Sequence, residues 1–229
     1  MHASILAVIV LGACASERGY RGADDVATWS GWVYAAPPTA EEPPTLDVGD
    51  VVFLPDEGAA VAAWSPYTDL PAYRSVDLTP GVAVSIVVTG PDAYPAVWRA
   101  QAPVADGAWS NGALFGAQAE YLAATYADFV DWGVTPPALG EGVHLWGRPL
   151  VPEDWTCDEV RVGARPADLC LTIREDGRLW PTVSGPVDRF YVFGLDAGEV
   201  VLTADGFEER WVAPAGSVVF AYWLWKEPV

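Results

Sequence analysis

The stretch Phe190-Tyr191-Val192-Phe193-Gly194-Leu195-Asp196-Ala197-Gly198, continued by Glu199 to Ala204 and then Asp205-Gly206-Phe207, decides the fold. It reads as an aromatic strand, a turn, a second strand and a tight turn. Gly198 permits the positive φ that such a turn demands. Asp205-Gly206 is a tight-turn signal that starts a return strand from Glu209 to Ala213. An earlier stretch has the same shape. Leu78-Thr79-Pro80-Gly81 leads into the apolar run Val82 to Gly90, and Tyr94 follows. Both read L-x-x-G, strand, turn, aromatic, and the strand after each glycine is apolar enough to be largely buried. Around them, 20 prolines and 22 glycines punctuate short runs rich in Val, Trp and Tyr. That punctuation predicts an all-β sandwich.

The pattern resembles the carboxypeptidase regulatory-like family, whose modules are transthyretin-like β-sandwiches. The family's signature is an aromatic strand, G-L-x-x-G, a strand, then G-Y or G-F. Phe190 to Gly198 followed by Asp205-Gly206-Phe207 carries it closely. The first copy lacks the glycine before Leu78 and has a longer turn, Gly90 to Tyr94. It opens at Trp29-Ser30-Gly31-Trp32-Val33-Tyr34, like the G-x-V strand that starts such modules. The resemblance implies a mainly β fold: two transthyretin-like or Ig-like antiparallel sandwich modules with an inter-module segment containing one α-helix. It implies no catalytic residues. Metallocarboxypeptidases keep their zinc on a separate domain that needs several histidines, and the related intradiol dioxygenases need two histidines and two tyrosines.

On this reading the first module spans 28–103, a helix-containing insertion 104–155, and the second module 156–229. One large sandwich with a helical insertion is the alternative. The helix is expected from Ala117 to Trp132. Leu122, Thr125, Tyr126 and Phe129 recur on one face at i, i+3, i+4 and i+7, with Glu120, Asp128 and Asp131 opposite. Gly133, Pro136 and Pro137 end it. Gly142 to Gly147 looks like a short strand.

The first residues give an address. Residues 1–14 carry a short apolar run that ends in Leu11-Gly12-Ala13-Cys14, which resembles a bacterial lipobox. The run is too short to span a bilayer, which takes about 20 helical residues. Attachment to the membrane would come from lipid on Cys14, with residues 15–27 as a tether. The expected location is the bacterial cell envelope, with the outer membrane favoured over the inner. An ordinary signal peptide and secretion is the alternative, since Ala13-Cys14-Ala15 also fits an A-x-A site. Cys157 and Cys170 then remain as an even pair in an oxidising compartment, and a disulfide between them is expected.

Acidic residues outnumber basic ones 31 to 12, a net charge of −19. That charge repels nucleic acid and excludes it as a partner. Zinc has no C-x-x-C or H-x-x-x-H spacing to bind. No cofactor is expected. Calcium at an oxygen-rich loop stays open, although no D-x-D-x-D-G loop is present. His144 is the one histidine beyond His2. It sits in an apolar run with no G-x-S-x-G elbow to serve, and Ser184 lies in an ordinary turn, so a structural histidine is expected. Acidic pairs such as Asp56-Glu57, Asp158-Glu159 and Glu208-Glu209 point to opposite faces of a strand and read as solvated surface. Twelve tryptophans suit an aromatic core. Trp64, with Tyr67 in Trp64-Ser65-Pro66-Tyr67, is the best candidate for an exposed ligand platform because it precedes a turn.

These features favour a non-catalytic envelope lipoprotein, a sandwich that binds another envelope protein or acts as a spacer. The alternative is a surface module that binds polysaccharide through exposed aromatics. A glycosidase-like carboxylate pair is the weakest option, because it depends on a separation that sequence does not show.

Overall fold

The structure is a computed structural model that describes residues 28–34, 51–56, 61–62, 72–74, 78–101 and 108–224. Cys14, Trp64 and Tyr67 lie outside the described residues.

The strands, in chain order, are β1 (Thr28–Tyr34), β2 (Val51–Pro55), β3 (Val61–Ala62), β4 (Ala72–Arg74), β5 (Ala83–Val88), β6 (Ala93–Tyr94), β7 (Ala96–Gln101), β8 (Ala108–Phe115) and β9 (Ala117–Gln118). The helix α1 (Ala119–Asp131) follows. Then come β10 (Val143–Pro149), β11 (Arg161–Val162), β12 (Arg165–Pro166), β13 (Leu169–Ile173), β14 (Leu179–Pro181), β15 (Arg189–Leu195), β16 (Gly198–Ala204), β17 (Phe207–Ala213) and β18 (Val218–Leu224). A single 3-10 turn, Pro152–Asp154, sits between β10 and β11.

Among the described residues the architecture is mainly β with one α-helix. Its centre is a nine-stranded sheet in the order β14-β13-β15-β10-β18-β7-β5-β2-β3. One face packs against α1 and the sheet β4-β1-β8, through Leu122, Phe129 and Val33. The other face packs against the sheet β12-β11-β16-β17, through Val200, Leu202, Trp211 and Ala213. Period-2 alternation produces the two faces. On β15, Tyr191 and Phe193 point to the helix side, while Phe190 and Val192 point to the other.

The sequence-expected hairpin is present. β16 and β17 pair antiparallel from Gly198↔Ala213 to Ala204↔Phe207, closed by Asp205 and by Gly206 at φ 68°. Its counterpart in the first copy, β5, lies instead in the central sheet, between β2 and β7. The shared L-x-x-G pattern encodes a local turn and strand, and partners distant in sequence decide which sheet each strand joins.

The sheets are mixed rather than purely antiparallel. β10 pairs parallel with β18, β18 with β7, and β1 with β8. Parallel strands are covered on both faces and so are apolar at successive positions. Val218, Val219, Phe220 and Ala221 of β18 are all buried, as are Val143, Leu145 and Trp146 of β10. The two apolar faces of the C-terminal strand are therefore covered within the chain itself. The pairing of β18 with β7, and of β10 with β15 and β18, ties the segments 28–103, 104–155 and 156–229 into one sheet.

Helix α1 starts two residues after and stops one residue before its expected bounds. Leu122 and Phe129 are buried, while Glu120, Asp128 and Asp131 are exposed. It ends in a Schellman motif. Gly133, at φ 81°, donates its N–H to the Val130 carbonyl, and Val134 donates to the Phe129 carbonyl. Among the described residues, no helix is long and apolar enough to cross a membrane.

Cys157 and Cys170 form a disulfide across a sequence separation of 13. Closing a loop of that size contributes about 3 kcal/mol in the chain-entropy account. The bond fixes the loop after the 3-10 turn to β13, beside the stacked rings of Trp155 and Phe190.

Candidate functional site

A charged cleft lies where β17 packs across β5 and β7. Its larger lobe, about 450 Å³, is lined by Ala83, Arg99, Ala100, Glu208, Glu209 and Arg210. A smaller lobe of about 270 Å³ continues it past Asp56, Glu199, Arg210 and Val212.

Two arginine forks shape it. Ser85 on β5 and Arg99 on β7 are cross-strand partners, so both project to the face that β17 covers. Arg99 reaches Asp56 with both terminal nitrogens, Nη1 to Oδ1 at 2.6 Å and Nη2 to Oδ2 at 2.5 Å. The same Nη1 lies 3.5 Å from Ser85 Oγ. That bidentate hydrogen bond holds the Asp56 carboxyl below its ordinary range. On β17, Arg210 donates through Nε and Nη2 to Glu208 Oε1 at 3.0 and 2.6 Å, and through Nη1 to Glu199 Oε1 at 3.3 Å. These last side chains are more than half exposed, so their pairing contributes little to stability.

Ser85 makes the seam between the two sheets. Its side chain is fully buried, and its Oγ accepts the backbone N–H of Val212 at 3.0 Å. The hydroxyl therefore satisfies the β17 backbone. Val212 itself is 44% exposed at the mouth of the cleft.

Glu208 and Glu209 do point to opposite faces, but they are not both solvated surface. Glu208 is exposed, whereas Glu209 is half-buried under the cleft wall, and burial raises its carboxyl to about 7. Arg99 opposes that rise without cancelling it. A carboxyl raised from 4.5 to about 7 in the folded state favours folding while protonated, at low pH. That advantage is lost as pH rises from the unfolded value through about 7. Glu209→Gln is therefore expected to leave stability at pH 4 nearly unchanged and to raise it by about 2–3 kcal/mol at pH 8.5. Urea denaturation of both proteins at the two pH values measures this, and parallel pH slopes would contradict it.

His144 lies far from this chemistry. Its side chain is fully buried on the helix side of β10. Nδ1 meets the Tyr126 hydroxyl, and Nε2 lies 3.3 Å from the Glu141 carbonyl. Ser184 is in an exposed turn whose carbonyl accepts from Thr182 Oγ1. Neither meets the other. Among the described residues there is no group of three or more His, Cys, Asp or Glu side chains placed to hold a metal ion.

The described aromatics fill the core. Trp146, Trp155 and Trp211 are buried, and Trp98 nearly so. Trp180 on β14 is exposed, at 49%, with the Arg174 guanidinium 4.0 Å over its ring. Sequence reasoning singled out neither Trp180 nor the cleft. Asp56, Arg99 and Arg210 are widely separated in the chain and meet only when two sheets dock.

No family model matches the chain, and no curated protein matches it. Among solved structures it is similar to the Bacillus anthracis TIE protein, at 11% identity and a TM-score of 0.28, over 86% of this chain and 33% of that one. The chain thus spans 33% of the length of the solved protein it matches.

Proposed function

We propose that this chain is a non-catalytic, lipid-anchored module of the bacterial cell envelope that binds a protein partner at the charged cleft. The observation that carries this reading is the pairing of three of the cleft's carboxylates, Glu209 standing apart with its carboxyl raised to about 7. Asp56 is engaged by Arg99, and Glu199 and Glu208 by Arg210. Carboxylates held by guanidinium forks are poor general acids or bases, but such forks suit recognition by exchange of ion-pair partners. The buried histidine, with both ring nitrogens engaged, supports the same reading.

Contact by strand addition is less well supported. One edge of the central sheet, β14, has three residues and ends in Pro181, which lacks an N–H, and at the edge strand β17 the Val212 N–H is already taken by Ser85. The finer fold assignment, transthyretin-like modules of the carboxypeptidase regulatory-like kind, rests on the β16–β17 hairpin and the L-x-x-G turn before it. Anchoring at Cys14 rests on the lipobox.

A photo-crosslinking side chain at Val212, in the native envelope, tests the cleft. The expected result is a discrete protein adduct that Arg210→Glu abolishes without lowering the melting temperature. The same probe at Val183, 87% exposed in the turn after β14, is expected to give none. An adduct indifferent to Arg210→Glu, or none at all, would remove the cleft as the contact.

Exposed Trp180 keeps the polysaccharide reading as the alternative. Glycan binding by residues 15–229 that Trp180→Ala eliminates would establish it.

A further inference from the structure

The geometry points to an acid-sensitive latch at Tyr126 and His144: protonation of His144 weakens the docking of helix α1 on the aromatic face of the central sheet. The latch is independent of the charged cleft, on the opposite side of the nine-stranded sheet.

The hydrogen bonds fix the state of the imidazole. A backbone carbonyl only accepts, so Nε2, 3.3 Å from the Glu141 carbonyl, carries the proton. Nδ1 is then a bare acceptor, and Tyr126 donates its O–H to it. The ring is neutral, in one tautomer, with both nitrogens engaged. It lies 5.8 Å from the Tyr126 ring, nearly stacked, and 5.5 Å from Phe193, edge-on. Its backbone N–H is bound by the Ser217 carbonyl, so the residue cannot swing out while β10 stays paired.

A second proton on this ring reverses its hydrogen bond to Tyr126. Nδ1–H would face the Tyr126 oxygen, and the Tyr126 hydroxyl would have to turn away and lose its acceptor. The groups around the ring supply little countercharge. α1 presents the Tyr126 phenol, since Glu120, Asp128 and Asp131 are on its exposed side. β15 presents Phe193, with the Tyr191 phenol beyond it, and β6 presents Tyr94, which bears on Tyr126. The 140–142 strap contributes the Glu141 carbonyl, its side chain being exposed. The carboxylate that acts on the ring, Asp168, is already held by the Phe193 N–H at 2.7 Å and by Arg165 at 3.4 Å. Burial outweighs both the Glu141 carbonyl and that carboxylate and lowers the His144 pKa below its usual 6.5.

Helix α1 is the element that gives way. Its other anchors, Leu122 and Phe129, are apolar, and the segment 133–142 that follows it is free of strand or helix. A displaced helix lets water reach His144. The released state then takes up the proton at the ordinary histidine pH while the docked state resists, so docking weakens as pH falls below about 6.5.

Hydrogen exchange on the full chain tests the latch. Protection of the 119–131 amides, corrected for intrinsic pH effects, is expected to fall between pH 7.5 and 5.0, by up to roughly thirtyfold. The β16–β17 amides should keep theirs. His144→Gln, which cannot titrate, is expected to abolish the difference. Where that variant does not fold, imidazole NMR of the wild type replaces it: His144 protonation should coincide with the loss of α1 protection. Equal protection at both pH values, an unchanged difference in His144→Gln, loss in step with β16–β17, or His144 still neutral when α1 opens would each overturn the latch.

Discussion

Phe129→Ala is expected to destabilise the protein by about 3–5 kcal/mol, the range for truncating a fully buried phenylalanine. Phe129 is 0% exposed and is the hub of the aromatic layer under α1. Its ring centroid lies 4.6 Å from Tyr191, 5.1 Å from Phe193, 5.3 Å from Tyr126 and 6.0 Å from Trp146. Those partners project from β15, β10 and the helix itself, so a single truncation leaves a cavity walled by three elements. The walls are rings in stacked, tilted and edge-to-face contact with one another, which cannot collapse together without losing that geometry. A helix of 13 residues is marginal by itself, so α1 depends on this packing rather than on propensity. The neighbouring Val130, 57% exposed, is the control: Val130→Ala should change stability by less than about 0.5 kcal/mol. Urea denaturation of the two variants compares them directly. A cost below about 1 kcal/mol for Phe129→Ala would mean that α1 contributes little to the core.

The same residues show what was legible in the sequence. Leu122, Tyr126 and Phe129 announced their shared face because helical periodicity is a local property. Gly198 and Asp205-Gly206 announced a hairpin for the same reason. The turn needs a positive φ at Gly206, and only a few residue types supply one. What sequence did not show was which strands become neighbours. Gly142 to Gly147 looked like a minor strand of an insertion, yet β10 sits near the middle of the central sheet, between β15 and β18. Its near-continuous apolar run is the mark of a strand buried on both faces, and a short buried run has no period to read. The cleft was hidden more deeply. Alternation correctly put Glu208 and Glu209 on opposite faces, but the burial that raises Glu209 comes from β17 docking beside Arg99, which is remote in the chain. Likewise Ser85 gave no sign that its hydroxyl would accept a backbone N–H from Val212.

Gly147→Ala is the second large effect expected, at about 3 kcal/mol, and it arises from a contact that no local rule contains. Gly147 and Phe190 are cross-strand partners on β10 and β15. The Phe190 ring lies across the glycine, so that a Cβ there would stand 2.0 Å from Cζ and 2.2 Å from Cε2. Ordinarily a flexible side chain could move aside. Phe190 is 0% exposed and stacks on Trp155 at 5.9 Å, and Trp155 packs edge-on against Phe207 at 5.1 Å. Moving the ring therefore disturbs the face that carries the β16–β17 sheet. The backbone has no freedom either, because β10 is hydrogen-bonded to β15 on one side and β18 on the other. The strain should belong to the pair rather than to either residue. Phe190→Leu alone is expected to be destabilising, since it removes the stack on Trp155. In the Gly147→Ala background the same change should recover stability, giving a coupling energy above about 1 kcal/mol in a double-mutant cycle. Additive effects of the two substitutions would mean that the ring does not close over Gly147, and that β10 accepts a side chain where the structure leaves no room for one.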